Sequence, residues 1–190
     1  MVSIAFLVPA AILPVTPPGS GGPLGPVLQR PMTQLEPGGA APRTPVPTPS
    51  AVCAHTPAGV RHIYVNIASQ TLSACTGPVL FTHTLVTTGA WKLTNVNNAT
   101  PIGTWRIYSK VRNTVLSGHD VNGSWRDPVK YWMAFNLGYG FHDASWQKFP
   151  FGSPLYKTKG SHGCVHLPPG EMAIVYNWAR IGTLVTITRR

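Results

Sequence analysis

His62-Ile63-Tyr64-Val65-Asn66-Ile67 alternates apolar and polar side chains without a break, so Ile63, Val65 and Ile67 share one face and His62, Tyr64 and Asn66 the other. A period of two is the signature of a strand with one buried face. Turn residues at Ser69 and Gln70 lead into a second run at Leu72 to Cys75, and Gly77-Pro78 turns the chain into a third at Val79 to Thr87. Such spacing predicts a three-strand meander.

Further strands are expected around Trp105 and Ile107, at Tyr131 to Phe135 and at Leu184 to Thr188. One segment, Pro169 to Arg180, reads as helix: proline in the first turn, Glu171 there, Met172, Val175, Tyr176 and Ala179 along one face, and Gly182 beyond the end. One helix among many short strands predicts a mostly β fold, a β-sandwich or barrel with one short helix near the C-terminus.

The chain has 190 residues, enough for one domain with a core of its own. Thirteen of the 20 prolines precede residue 58. Residues 1–20 read as a signal-like or anchor-like apolar segment, residues 21–56 as a Pro/Gly-rich linker, and residues 57–190 as the folded domain. Export is the expectation, to the cell wall or outside the cell, with the N-terminal segment as a membrane anchor if it is retained.

Fifteen Lys and Arg against 5 Asp and Glu give a net charge of +10. That charge draws the protein to polyanions. The basic residues are scattered and no nucleic-acid-binding motif accompanies them, which favours anionic cell-wall polymers over nucleic acid. Of the three cysteines, Cys53 and Cys75 flank the first hairpin and are candidates for a disulfide, two buried free thiols being the other reading.

Ser161-His162-Gly163-Cys164-Val165-His166-Leu167 carries the chemistry. A thiol attacks only as thiolate and needs an imidazole or backbone dipoles to become one. Gly163 permits a sharp turn whose amides receive negative charge. A second histidine stands upstream in Gly140-Phe141-His142-Asp143-Ala144-Ser145-Trp146. Histidine first and cysteine after a short loop is neither the papain order nor the sortase pattern. Zinc is the competing reading, because His162, Cys164 and His166 alternate along what would be one strand face and His142 supplies a fourth ligand.

A strand-end histidine followed by Ser-His-Gly-Cys resembles the catalytic domain of bacterial L,D-transpeptidases. Thr100-Pro101-Ile102-Gly103 and Tyr131-Trp132-Met133 are similar to family segments as well. The resemblance implies a cysteine acyltransferase that acts as a monomer on peptidoglycan stem peptides and needs no cofactor. It implies Cys164 as nucleophile and His142 as base, its second ring nitrogen held by a backbone carbonyl. Amides around Gly163 and Cys164 would be the oxyanion donors, and His162 would support Ser161 and the nucleophile. Trp146, Tyr131 and Met133 would wall the acyl-donor groove. Asp143 would orient His142 or meet a cationic substrate group, an exposed turn carboxylate being the other reading.

Where the family commonly has Asn or Arg two places after the cysteine, this chain has His166 as a candidate substrate contact. Gly152, Pro154 and Tyr156 suggest a lid between His142 and Ser161. Cysteine chemistry of this kind also serves an L,D-carboxypeptidase, and a silent wall-binding module is the reading from a different class. His83, on a face with Phe81 and Leu85, is expected to be a buried or half-buried structural imidazole; His55, His62 and His119 are expected in solvent, and Trp91, Trp105, Trp125 and Trp178 in packing.

Overall fold

A computed structural model describes residues 49–90, 98–120 and 123–190. The signal-like segment, most of the linker and Trp91 lie outside the described residues.

Strands β1 (Arg61–Asn66), β2 (Thr71–Thr76) and β3 (Val79–Leu85) form the expected meander. Together with β9 (Leu184–Thr188) and β4 (Gly103–Arg106) they make a five-stranded sheet in the order β3-β2-β1-β9-β4, with β9 parallel to β1. The second sheet holds β5 (Ser109–Asp120), β6 (Gly123–Asn136), β7 (Tyr139–Asp143) and β8 (Val165–Leu167) in that order. Apolar side chains from both sheets and from helix α2 (Pro169–Trp178) share one core. Ile63 and Val65 of β1, Phe141 of β7 and Val165 of β8 are buried in it. The fold is mostly β, as the alternation predicts.

Several expectations change. A second, one-turn helix, α1 (Tyr156–Lys159), precedes the cysteine. Tyr156 is buried in the core and the Gly152 amide donates to the Val86 carbonyl at 2.9 Å, so the proposed lid is pinned to the sheet. Residues 49–56 belong with the domain rather than with the linker. Pro49 bridges to Val79, the Ser50 amide donates to the Pro78 carbonyl at 2.9 Å, and Cys53 is disulfide-bonded to Cys75. A stretch this short packs because the cross-link and a sheet edge hold it.

His62 is buried instead of solvated, bonded through Nε2 to Thr186 Oγ1 at 2.8 Å and stacked on Tyr64. His83 is exposed with its whole face of β3, Phe81 and Leu85 being about half exposed, and it meets Ser73 Oγ through Nδ1. The face was right and its direction wrong, because alternation does not say which side the core takes. Among the described residues no helix is long and apolar enough to cross a membrane.

Candidate active site

The site forms where β7 and β8 run parallel, with Phe141 beside Val165 and His142 beside His166. Phe141 and Val165 are buried in the core, so period two turns His142 and His166 to the opposite face. Cys164 ends the turn that enters β8, one residue before Val165 and two before His166, the neighbour of His142.

His142 is buried, and its Nδ1 lies 3.0 Å from the Asp143 carbonyl oxygen. A carbonyl only accepts, so Nδ1 carries the hydrogen and Nε2 keeps the lone pair. Burial pushes the His142 pKa below 6.5, partly offset by the Asp143 carbonyl and the nearby carboxylates of Asp143 and Asp127. The imidazole is thus neutral at pH 7 and able to take a proton.

The Asp143 carboxylate is engaged by backbone amides of the neighbouring strand. It is buried, and its Oδ1 accepts the amides of Lys130 and Tyr131 at 2.9 and 2.8 Å. These bonds carry the β6–β7 contact past its last backbone pair, Trp132 with His142. Asp143 therefore places the base twice, by fixing its strand with the carboxylate and its ring with the carbonyl.

The cysteine turn is held from two sides. The Thr87 amide donates to the His166 carbonyl at 3.0 Å and the His166 amide to the Thr87 carbonyl at 2.8 Å, while the Ala90 amide donates to the Ser161 carbonyl at 3.0 Å. Ser161 is buried; its Oγ donates to the Cys164 carbonyl at 2.5 Å and accepts the Gly163 amide at 3.0 Å. The serine hydroxyl braces the turn. Since the Gly163 amide is spent on it, that amide is not one of the oxyanion donors the sequence suggested.

Gly163 has φ +112°, and a Cβ there would lie 2.3 Å from Cε1 of the Tyr139 ring. Only glycine fits that conformation against that ring.

Cys164 is a free, partly buried thiol. It donates to the Gly138 carbonyl at 3.9 Å. Desolvation pushes the thiol pKa up to about 11, Asp127 adds to the rise, and a backbone hydrogen bond from Gly140 opposes it. Thiol and imidazole are both neutral before substrate arrives.

Aromatic rings surround the pair. Trp146 stacks toward His142 at 5.9 Å between centroids and meets His166 edge-on at 6.0 Å. His162 is exposed and lies flat on Trp125 at 4.9 Å. Tyr131 and Met133 are on the wrong face: Met133 is fully buried beside Phe141, and Tyr131 packs on Tyr176 of α2. Trp132, between them, is the β6 residue at the site, with its ring 6.0 Å from that of His142. Trp132, Tyr139, Gly138 and Gly140 are thus site residues the sequence reading missed. Alternation around a correctly paired His142 was the signal that could have found Trp132.

Zinc binding is not what the geometry favours. Strand β8 starts at Val165, so His162 and Cys164 belong to the turn rather than to one strand face with His166. Among the described residues no three His, Cys, Asp or Glu side chains converge as a metal site.

The family model for the L,D-transpeptidase catalytic domain matches residues 60–187. No curated protein is similar enough to match. Among solved structures, the chain is similar to a mutant Enterococcus faecium L,D-transpeptidase, with 29% identity and a TM-score of 0.62 over 69% of this chain and 50% of that one. It is similar to the catalytic domain of an E. faecium L,D-transpeptidase at 28% identity, TM-score 0.58, over 68% of this chain and 98% of that domain. A Mycobacterium smegmatis L,D-transpeptidase, at 18% identity and TM-score 0.57 over 67% of this chain and 58% of that one, shares the fold. The chain spans about half the length of the longer enterococcal protein. The family match takes in β7 with His142 and the turn with Cys164 before β8, and the chain belongs to the L,D-transpeptidase catalytic domain family.

Proposed function

We propose that this protein is a peptidoglycan L,D-transpeptidase that joins stem peptides through a thioester on Cys164. The observation that supports this reading is His142 on β7 beside His166 of β8, two residues after Cys164, with His142 Nδ1 bonded to the Asp143 carbonyl. That tautomer leaves Nε2 as the base.

Acylation begins when the Cys164 thiol passes its proton to His142 Nε2 and the sulfur attacks the carbonyl before the terminal D-alanine of a tetrapeptide stem. A neutral thiol with its pKa raised to about 11 is a poor nucleophile alone, so proton transfer accompanies attack. The Cys164 amide and the backbone near Gly140 receive the oxyanion charge. Protonated His142 then gives its proton to the departing amine, and D-alanine leaves. An amine of a second stem captures the thioester, and the thiol is restored. The net charge of +10 suits an exported enzyme working in an anionic wall.

Intact-mass analysis after incubation with a disaccharide-tetrapeptide and with a carbapenem tests this reading. The E. faecium catalytic domain has been solved acylated by ertapenem, which makes a carbapenem a fitting probe. Adducts that vanish in Cys164→Ser and form at least a hundredfold more slowly in His142→Ala are expected, roughly the contribution of a positioned base. An adduct that survives Cys164→Ser would refute it. Cross-linked dimers identify transfer, whereas release of D-alanine without dimers identifies a carboxypeptidase.

A further inference from the structure

The site holds a second imidazole that the acylation steps do not use. The rings of His142 and His166 lie 4.6 Å apart, tilted by 59°. His166 Nδ1 is 3.3 Å from Gln147 Oε1. Gln147 Nε2 reaches Thr87 Oγ1 at 2.9 Å and the Phe149 carbonyl at 3.0 Å. A carbonyl accepts only, so the amide end facing Phe149 is the NH2 and the end facing His166 is the oxygen. The hydrogen of neutral His166 therefore sits on Nδ1, and its Nε2 carries a lone pair. Two adjacent imidazoles are thus locked in the same tautomer by two different carbonyl groups.

His166 also lines a cavity of about 320 Å3, shared with Trp125, Asp127, Trp146, Lys159 and His162. The cavity adjoins the cysteine turn through Ser161 and His162 and has room for part of a second peptide.

Resting on the transfer reading above, we propose that His166 Nε2 is a hydrogen-bond acceptor for the incoming amine, holding one N–H while His142 Nε2 removes the other. The amine arrives as an ammonium and loses one proton to solvent on entry. Its nitrogen then forms the C–N bond as the thioester C–S bond breaks. The proton taken by His142 passes to the Cys164 sulfur. The N–H held by His166 is the one that remains in the new amide. This role requires an imidazole that stays neutral beside His142 when His142 becomes charged. Burial, with the imidazoles of His142 and His162 close by, holds the His166 pKa well below 6.5.

The test uses the full chain and separates the two half-reactions. Carbapenem acylation is timed by mass, and transfer to a tetrapeptide amine is followed as its concentration is varied. His166→Phe, which keeps a ring but has no acceptor, is expected to lose about three- to tenfold more in transfer than in acylation, the worth of one hydrogen bond. His166→Asn, which restores an acceptor, is expected to recover part of that loss. Ring 15N shifts of His166 are expected to show Nδ1 protonated and Nε2 bare, and Gln147→Leu is expected to mix the tautomers. Equal losses in both half-reactions, or an Nε2-protonated ring in the unaltered chain, would overturn the proposal. A chain that takes up no carbapenem on Cys164 refutes the transpeptidase reading instead, while the nitrogen shifts still decide the tautomer. An acyl-enzyme that water clears and the amine never captures removes the role assigned to His166.

Discussion

Replacing Gly163 by alanine puts a methyl group where the fold has no room for one. The new Cβ would sit 2.3 and 2.8 Å from Cε1 and Cδ1 of Tyr139 and 3.4 Å from the Ala99 carbonyl oxygen. Tyr139 cannot simply swing aside, because it opens β7 paired with Asn136 and packs on the core. Forcing the ring away costs about 1–3 kcal/mol, as overpacking does. The backbone adds its own penalty, since φ +112° is a conformation L side chains rarely adopt and costs about 1–3 kcal/mol more. The sum, about 2–6 kcal/mol, is a large part of the stability of an ordinary domain.

Urea unfolding reads the total, and Tyr139→Ala in the Gly163→Ala background divides it. If the ring clash matters, the double variant is less damaged than the sum of the single ones by about 1–3 kcal/mol. The remainder is the backbone cost. Carbapenem acylation of folded Gly163→Ala should fall by about a hundredfold, because an ångström-scale shift of Cys164 spoils the line of attack. A variant that keeps the parent's stability within about 0.5 kcal/mol and acylates at the parent's rate refutes the reasoning.

Two other outcomes follow from the same site and its scaffold. The Cys53–Cys75 bridge closes a loop with a sequence separation of 22, so Cys53→Ala/Cys75→Ala should lose about 3 kcal/mol in urea unfolding, and a loss below about 1 kcal/mol would mean that the linker's end does not need its tether. For pH, burial lowers the His142 pKa, so its neutral form persists as pH falls past 6.5, and acylation should fail only below that value. The unfolded chain takes up that proton near pH 6.5, so stability too should decline as pH drops below 6.5. An acidic midpoint for acylation above 6.5 would contradict the lowered His142 pKa.

The family was legible at His142 and Cys164 because their signature is local: a glycine beside a thiol and an imidazole at a strand end keep their meaning in any register. The meander β1–β3 and helix α2 were legible for a similar reason, since their periods are written in neighbouring residues. The long β5–β6 hairpin was not. Its residues 124–130 carry Arg126, Asp127 and Pro128 and alternate between exposed and half-exposed for most of their length, so no apolar stripe announces a strand.

The sequence by itself determined which residues can do the chemistry and that the fold is mostly β. The tertiary structure decided which of them meet. Tyr131, Trp132 and Met133 offer two faces by alternation, and only the pairing of Trp132 with His142 says which one looks into the site. Asp143 reads as a turn carboxylate until the amides of Lys130 and Tyr131, contributed by another strand, are found on it. Register is set by contacts between segments distant in sequence, and a slip of one residue exchanges every face.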